Sequence, residues 1–257
     1  MTATDIDGPI RPHPTLAGRY ANDDVRPQYV RNLFDETAVE YDGTAALLAF
    51  GSGPWYRRHV LTLAGLKPGM AILDIAAGTG QVTRAAAQIV GEAGTVYAVE
   101  PSAGMLVEAR RAVPPWVMLV QGEAEALPLP DRTVDFVSMG YAVRHVSDLV
   151  AAFSEYRRVL RTGGTVIIME IGPARGRLTR AALGFWISKA VPAMHAVFGR
   201  GKGRYRRAVA LMGYYRDTLN GCVAPSVIED ALRRAGFADV KCTISLGLFR
   251  EYTGRAP

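Results

Sequence analysis

Between Ala71 and Glu170 short apolar runs alternate with helical patterns, and no other feature of the chain constrains its fold as tightly. Ala71-Ile72-Leu73-Asp74-Ile75 reads as a buried strand, followed by a glycine-containing turn and a helix over 81–90. Residues 94–100 read as a second strand with a helix over 102–112, residues 116–121 as a third, 134–140 as a fourth and 165–170 as a fifth. Before the fifth, Ser147 is placed to cap a helix with Leu149, Phe153, Tyr156 and Leu160 on one face, which Gly163-Gly164 stops. Strands separated by helices pair through crossovers, so an α/β fold with a mostly parallel sheet covered on both faces is expected. Upstream, Val30, Leu33, Ala38, Tyr41, Ala45 and Leu48 recur at three or four, predicting one or two amphipathic helices over 29–50. Pro54 opens a further helix reaching Leu66. Downstream, Ser226-Val227-Ile228-Glu229 reads as a capping box for a helix ending at Gly236, and residues 239–245 and 248–252 as an antiparallel pair, making seven strands. Residues 1–28 lack periodicity and are expected to form a flexible arm.

Ligands of an open parallel sheet lie beyond the carboxyl ends of its strands. There the first strand runs into Asp74-Ile75-Ala76-Ala77-Gly78-Thr79-Gly80, whose small residues let backbone approach a ligand. A pyrophosphate-binding turn carries GxGxxG, whereas this one reads DxAxGxG with an acid at the strand end. An acid repels phosphate and attracts an ammonium group. Glu100 closes the second strand, where a carboxylate can hold both ribose hydroxyls. The implied ligand is a nucleoside with a cationic tail, S-adenosylmethionine. Glu123, chosen over Glu125, and the backbone of Ala124 are placed to read the adenine edge. Met105 could floor the base or simply pack in the core. Thr83, Pro101 and Gly140 complete the candidate cofactor-binding set. The competing reading of Asp74 and Glu100 is that they cap neighbouring helices.

Charge separates the chain into two parts. Its 257 residues carry 30 Lys+Arg against 24 Asp+Glu, a formal +6. Ten basic residues and no acid fall between Ile171 and Arg216, and ten of +6 leaves −4 for everything else. The pattern is a basic insertion, 172–221, on a mildly acidic body formed by 29–171 and 222–257. Leu183, Trp186, Ile187, Val191, Met194 and Phe198 recur there at helical spacing, Pro192 should kink that helix, and basic residues crowd 199–207. The insertion could be an acceptor lid that receives a prenyl chain and touches an anionic membrane, or a solvated loop on a core helix. Aromatic residues are too sparse among these charges for a nucleic-acid platform. Apolar content of 49% and charged content of 21% exclude a disordered chain. No apolar run of about 18 residues is present, and the N-terminus lacks a signal-peptide pattern, so a cytoplasmic location is expected, with or without peripheral membrane contact. Cys222 and Cys242 have neither disulfide nor zinc spacing, and no metal site is expected. An oligomer stays open.

Together these residues resemble the class I S-adenosylmethionine-dependent methyltransferases, and within them the ubiquinone/menaquinone biosynthesis C-methyltransferase family, over roughly residues 30–254. The resemblance rests on Phe34-Asp35-Glu36-Thr37-Ala38-Val39-Glu40-Tyr41-Asp42, on Phe50-Gly51 with Trp55, on Leu73 to Gly80, and on Ala142-Val143-Arg144-His145-Val146. Tyr214-Tyr215, Ala235-Gly236-Phe237 and the stretch from Gly247 to Gly254 follow in order. It implies a Rossmann-like seven-stranded sheet with a helical preface and lid, S-adenosylmethionine as cofactor, and a quinol such as demethylmenaquinol as acceptor. It also implies that Arg144, with Tyr41, helps activate the acceptor through water. Asp42 joins this catalytic set, His145 could serve as the base, and Arg144 could instead be a structural partner of Asp42. Ala45, Ala49, Tyr56 and His145 depart from the family pattern at positions expected near the acceptor. They favour a second reading, methylation of C, N or O on a small aromatic or terpenoid acceptor of specialised metabolism. A third is a cofactor-binding fold without methyl transfer.

Overall fold

The computed structural model describes residues 9–48, 51–172, 176–198, 203–245 and 247–257; Ala49, Phe50, Arg175 and the glycine-basic stretch 199–202 lie outside the described residues. Two helices, α1 (Arg26–Leu48) and α2 (Gly53–Leu63), precede the alternation β1 (Ala71–Ile75), α3 (Gln81–Val90), β2 (Thr95–Glu100), α4 (Ala103–Ala112), β3 (Met118–Gln121), β4 (Val134–Gly140), α5 (Leu149–Val159) and β5 (Leu160–Ile171). The insertion then forms α6 (Arg177–Phe185), a π turn over Trp186–Ala190, α7 (Val191–Phe198) and α8 (Arg204–Gly221). The chain closes with α9 (Pro225–Arg234), β6 (Ala238–Ser245) and β7 (Phe249–Arg255).

One seven-stranded sheet has the order β3-β2-β1-β4-β5-β7-β6, parallel except for β7, which runs antiparallel to both its neighbours. The chain steps outward from β1 to β3 and returns to the other side of β1 as β4. This reversal opens a crevice at the carboxyl ends of β1 and β4. Successive residues of β1 enter opposite cores, Ile72 joining Val82, Ala86 and Phe136, and Leu73 joining Phe153, Tyr156 and Leu232. Burial on both faces is why the inner strands read as unbroken apolar runs. A third core lies under the insertion, where Val30 and Leu33 of α1 meet Ile187, Val191, Leu211 and Tyr214.

Local chemistry moves several boundaries. Asp148, not Ser147, caps α5, its carboxylate accepting from Val150 N–H at 2.9 Å. The helix ends at Val159 without help from Gly163-Gly164. Those glycines lie inside β5, where pairing jumps from Val134↔Leu160 to Phe136↔Thr165 and Gly163 takes φ 77°. Ser226 opens no capping box, because Pro225 already occupies the first helical turn with its φ preset and no N–H to satisfy. The π turn ends two residues before Pro192, whose missing N–H leaves a carbonyl one turn back without its helical donor. The expected flexible arm differs from the structure over residues 9–25, which are irregular but tied down. Ile10 O accepts from Leu149 N–H and Pro12 O from Val223 N–H, while His13 and Tyr20 are buried. Residues 1–8 lie outside the described residues.

Candidate active site

The turn after β1 is shaped for a close ligand. Ala76 adopts φ 52° and Gly78 φ 57°, left-handed values that glycine takes freely and alanine takes at a cost. A Cβ on Gly78 would meet nothing within 4 Å, so the turn faces open space there. Gly80 is small for another reason, since a Cβ would lie 2.6 Å from Val113 Cγ1. Gly140 likewise leaves room for Val82, 2.6 Å from where its Cβ would be.

The carboxylates divide between the cavity and the wall behind it. Glu100, at the end of β2, accepts from Gly78 N–H at 2.8 Å and Ser102 N–H at 2.9 Å and borders a cavity with Ala76, Pro101, Glu123 and Ala124. Burial pushes its pKa up to about 7 despite those two donors. Asp74 is fully buried beneath the turn, its oxygens accepting from Thr83 Oγ1 at 2.6 Å and Ser138 Oγ at 2.8 Å. It is held up at about 6 by burial. The expectation that Asp74 meets an ammonium directly is therefore corrected. It holds the base of the turn through Thr83 and Ser138. Thr83, Gly80, Gly140 and the buried Met105 also stand behind the cavity wall and not on it. The open face of Gly78, the Glu100 carboxylate and the apolar floor of Ala76, Met139 and Ala142 fit an adenosine with a short polar tail.

Helix α1 spans this cavity. Arg31 Nη2 meets Glu123 Oε1 at 2.5 Å after β3, and Asp35 Oδ1 accepts from Ser102 Oγ at 2.6 Å and Gly104 N–H at 2.8 Å after β2. Asp42 accepts from Thr79 Oγ1 and from Gln81 Nε2, at 2.6 Å in the latter case, after β1. Asp42 thus serves the cofactor turn, and the expectation that it joins the acceptor chemistry or pairs with Arg144 is corrected. Arg31 and Asp35 were missed in the sequence because a helical charge usually marks only a solvated face; the four- and seven-residue spacing from 31 to 35 to 42 was the available signal.

A second cavity adjoins the first, and Phe34 and His145 border both. Its walls are aromatic: Phe34 and Tyr41 from α1, Tyr56 from α2, Tyr141 after β4, Tyr214 and Tyr215 from α8, and Phe249 from β7. Ala45, Tyr56 and His145, three of the departures from the family pattern, all line it. His145 Nδ1 lies 3.0 Å from Tyr214 Oη, and its ring packs edge-on to Phe34 with centroids 5.2 Å apart. Burial, reinforced by the nearby cations Arg144 and Arg26, keeps its pKa well below the usual histidine value. The imidazole is neutral near pH 7, which suits a neighbour of a sulfonium. Burial pushes Tyr41 up to about 12, making it a hydrogen-bond donor and not a base.

Arg144 is absent from both walls. It is fully buried, pairs through Nε with Glu170 Oε2 at 3.1 Å, donates to Thr218 Oγ1 at 3.1 Å, and stacks on Tyr215 with its guanidinium carbon 4.3 Å from the ring centroid. The expectation that Arg144, with Tyr41, activates the acceptor through water is corrected: its charge is paired with Glu170 behind the cavity wall, where it positions Tyr215. Sequence reasoning missed Arg57 and Tyr141 on the wall of the aromatic cavity; Tyr141 takes φ 62° after Gly140, and nothing in the residue types announced that strain. Among the described residues no group of three or more His, Cys, Asp or Glu is arranged to hold a metal ion.

Residues 22–247 match the ubiE/COQ5 methyltransferase family. The demethylmenaquinone methyltransferase of Symbiobacterium thermophilum is 34% identical over 220 residues, covering 83% of this chain and 86% of that protein. The ubiquinone/menaquinone biosynthesis C-methyltransferase UbiE of Shewanella frigidimarina is 28% identical over 225 residues, covering 86% and 87%. A SAM-dependent methyltransferase from Aquifex aeolicus shares the fold with a TM-score of 0.57 at 21% identity, over 78% of this chain and 89% of that one. Haemonchus contortus phosphoethanolamine N-methyltransferase 2, solved with S-adenosyl-L-methionine, does so with a TM-score of 0.60 at 18% identity, over 88% and 60%.

Proposed function

Because the chain belongs to the ubiE/COQ5 methyltransferase family and uses S-adenosylmethionine, we propose that it methylates a ring carbon of a phenolic acceptor, most simply a demethylated quinol such as demethylmenaquinol. The observation that carries this reading is the aromatic-walled cavity that shares Phe34 and His145 with the cofactor cavity. The cofactor, when bound, supplies an electrophilic methyl group on a sulfonium. The chain supplies proximity and alignment, which dominate such a displacement. Glu100 holds the ribose, Ala124 and Glu123 face the adenine, and the α1 contacts to three loops hold that pocket shut. The flat rings of Tyr41, Tyr141 and Tyr215 orient an aromatic acceptor, and the neutral His145 stands at the junction, where it can take a proton from the acceptor.

Helix α8 gives the acceptor cavity its lid-side wall, whereas α6 has no buried residue and exposes Leu178 and Phe185 beside Arg177 and Arg180. We assign α6 to contact with an anionic membrane from the cytoplasmic side, which would bring a prenylated acceptor to the cavity. Among the described residues no helix is long and apolar enough to cross a membrane.

Incubation with a short-chain demethylmenaquinol, a panel of simple phenols and a panel of amines tests the assignment. Turnover of the quinol above both panels is expected. Cofactor binding with turnover confined to amines would overturn it. Ala45, Tyr56 and His145 favour a second reading, a non-quinone acceptor of specialised metabolism, for which the simple phenols would be the better substrates.

A further inference from the structure

Arg57, on α2, brings a formal charge to the aromatic cavity that no carboxylate among the described residues pairs with. It is only 8% exposed, and its Nε is buried without a hydrogen-bond partner. Among the described residues no carboxylate lies within 4.0 Å of its guanidinium, in contrast to Arg144 on Glu170, Arg158 on Glu155 and Arg207 on Glu40. Its guanidinium carbon sits 5.3 Å from the centroid of the Tyr141 ring, a cation–π contact that offsets part of the desolvation. The seat is built for it: a Cβ on Gly53 would come within 2.4 Å of Arg57 Nη1. A buried cation without a counter-charge is costly, and a site that keeps one is complementary to an anion. Around it, Tyr41 and Tyr141 present hydroxyls that make no hydrogen bond among the described residues and line the same cavity.

We propose that Arg57, and not Arg144, is the group that holds the ionised hydroxyl of the acceptor, so that the cavity selects a phenolate over the neutral phenol. This rests on the reading of the cavity as an aromatic-acceptor site. The seated phenolate pushes its negative charge onto the ring carbons ortho and para to it. One of these carbons forms the new C–C bond with its own electron pair as the sulfonium S–C bond breaks, leaving a neutral thioether. The ring then sheds the proton of that carbon to solvent and regains aromaticity.

The test needs no turnover. The protein saturated with S-adenosylhomocysteine is titrated with 4-nitrophenol, whose phenolate absorbs visible light, across a range of pH. The neutral 4-nitroanisole is followed in parallel by calorimetry. The bound phenol should ionise about 1–3 pH units below the free one, equivalent to about 10- to 1000-fold tighter binding of its ionised form. R57Q should lose that shift while keeping its S-adenosylhomocysteine affinity, and R57K should keep part of it. G53A, which leaves the arginine in place but displaces its head, should lose it as well. An unchanged shift in R57Q overturns the role of Arg57 and leaves the aromatic cavity standing. Failure of both 4-nitrophenol and 4-nitroanisole to bind the wild-type protein overturns the aromatic cavity, and the inference with it.

Discussion

Glu100 and Asp74 sit at about 7 and about 6, both raised first by burial. In the free protein they therefore retain protons between roughly pH 5 and 7 that ordinary carboxylates would have released. A ligand carrying an ammonium group and ribose hydroxyls favours their ionised forms. Cofactor binding should then release protons, with affinity rising as pH increases towards about 7 and levelling above it. Calorimetry in buffers of different ionisation enthalpy measures that release directly, and proton uptake would contradict the assignment. Glu100→Gln removes charged hydrogen bonds worth about 1.5–3 kcal/mol, so cofactor affinity should fall about ten- to a hundredfold. His145 gives a second reading at this scale. Its nitrogen resonances should show a neutral ring at pH 6, and a titration centred near 6.5 would mean that the ring is solvated and not enclosed by Phe34 and Tyr214.

At the scale of elements, α1 is the strap of the cofactor pocket. Its close approach to α4 depends on Gly104, where a Cβ would lie 3.0 Å from Asp35 Cα. Asp35→Ala removes an acceptor from the first turn of α4 and should cost about 1 kcal/mol in unfolding free energy, with a weaker hold on cofactor although Asp35 lines neither of the two cavities described. Arg144 plays the corresponding part on the acceptor side, joining the turn after β4 to Glu170 of β5 and Thr218 of α8. Arg144→Ala leaves a buried carboxylate unpaired and should destabilise the protein by about 3–5 kcal/mol in urea unfolding. A fully stable Arg144→Ala protein that has lost only turnover would instead restore Arg144 to the reaction. For α6, replacing Leu178 and Phe185 by Glu should abolish sedimentation with anionic vesicles and leave cofactor affinity unchanged. Equal sedimentation would show that the helix is merely solvated.

For the molecule as a whole, the sheet was legible because burial on both faces forces unbroken apolar strands, and Ile72 and Leu73 could be assigned to a core without knowing which one. The loops at the carboxyl ends of β1 and β2 were legible for a similar reason, since strand ends fix where Ala76, Gly78 and Glu100 must lie. What could not be read was which polar groups face a ligand and which face each other. Asp74 and Glu100 look alike in the sequence, yet one is enclosed by Thr83 and Ser138 and the other borders the cavity. Arg57 and Arg144 show the same ambiguity, because pairing with Glu170 is a long-range consequence of β4 lying beside β5. The basic insertion divided in a way that composition could not show, α8 lining the aromatic cavity and α6 facing outward. The central claim, that the two cavities deliver a methyl group to a ring carbon, is tested most directly with S-adenosylmethionine labelled with carbon-13 at its methyl group and a short-chain demethylmenaquinol. The product should carry the label as a ring methyl, seen by carbon NMR at an aromatic C–CH3 position. Label on oxygen, or a bound cofactor whose label never leaves it in the presence of the quinol, would contradict the account.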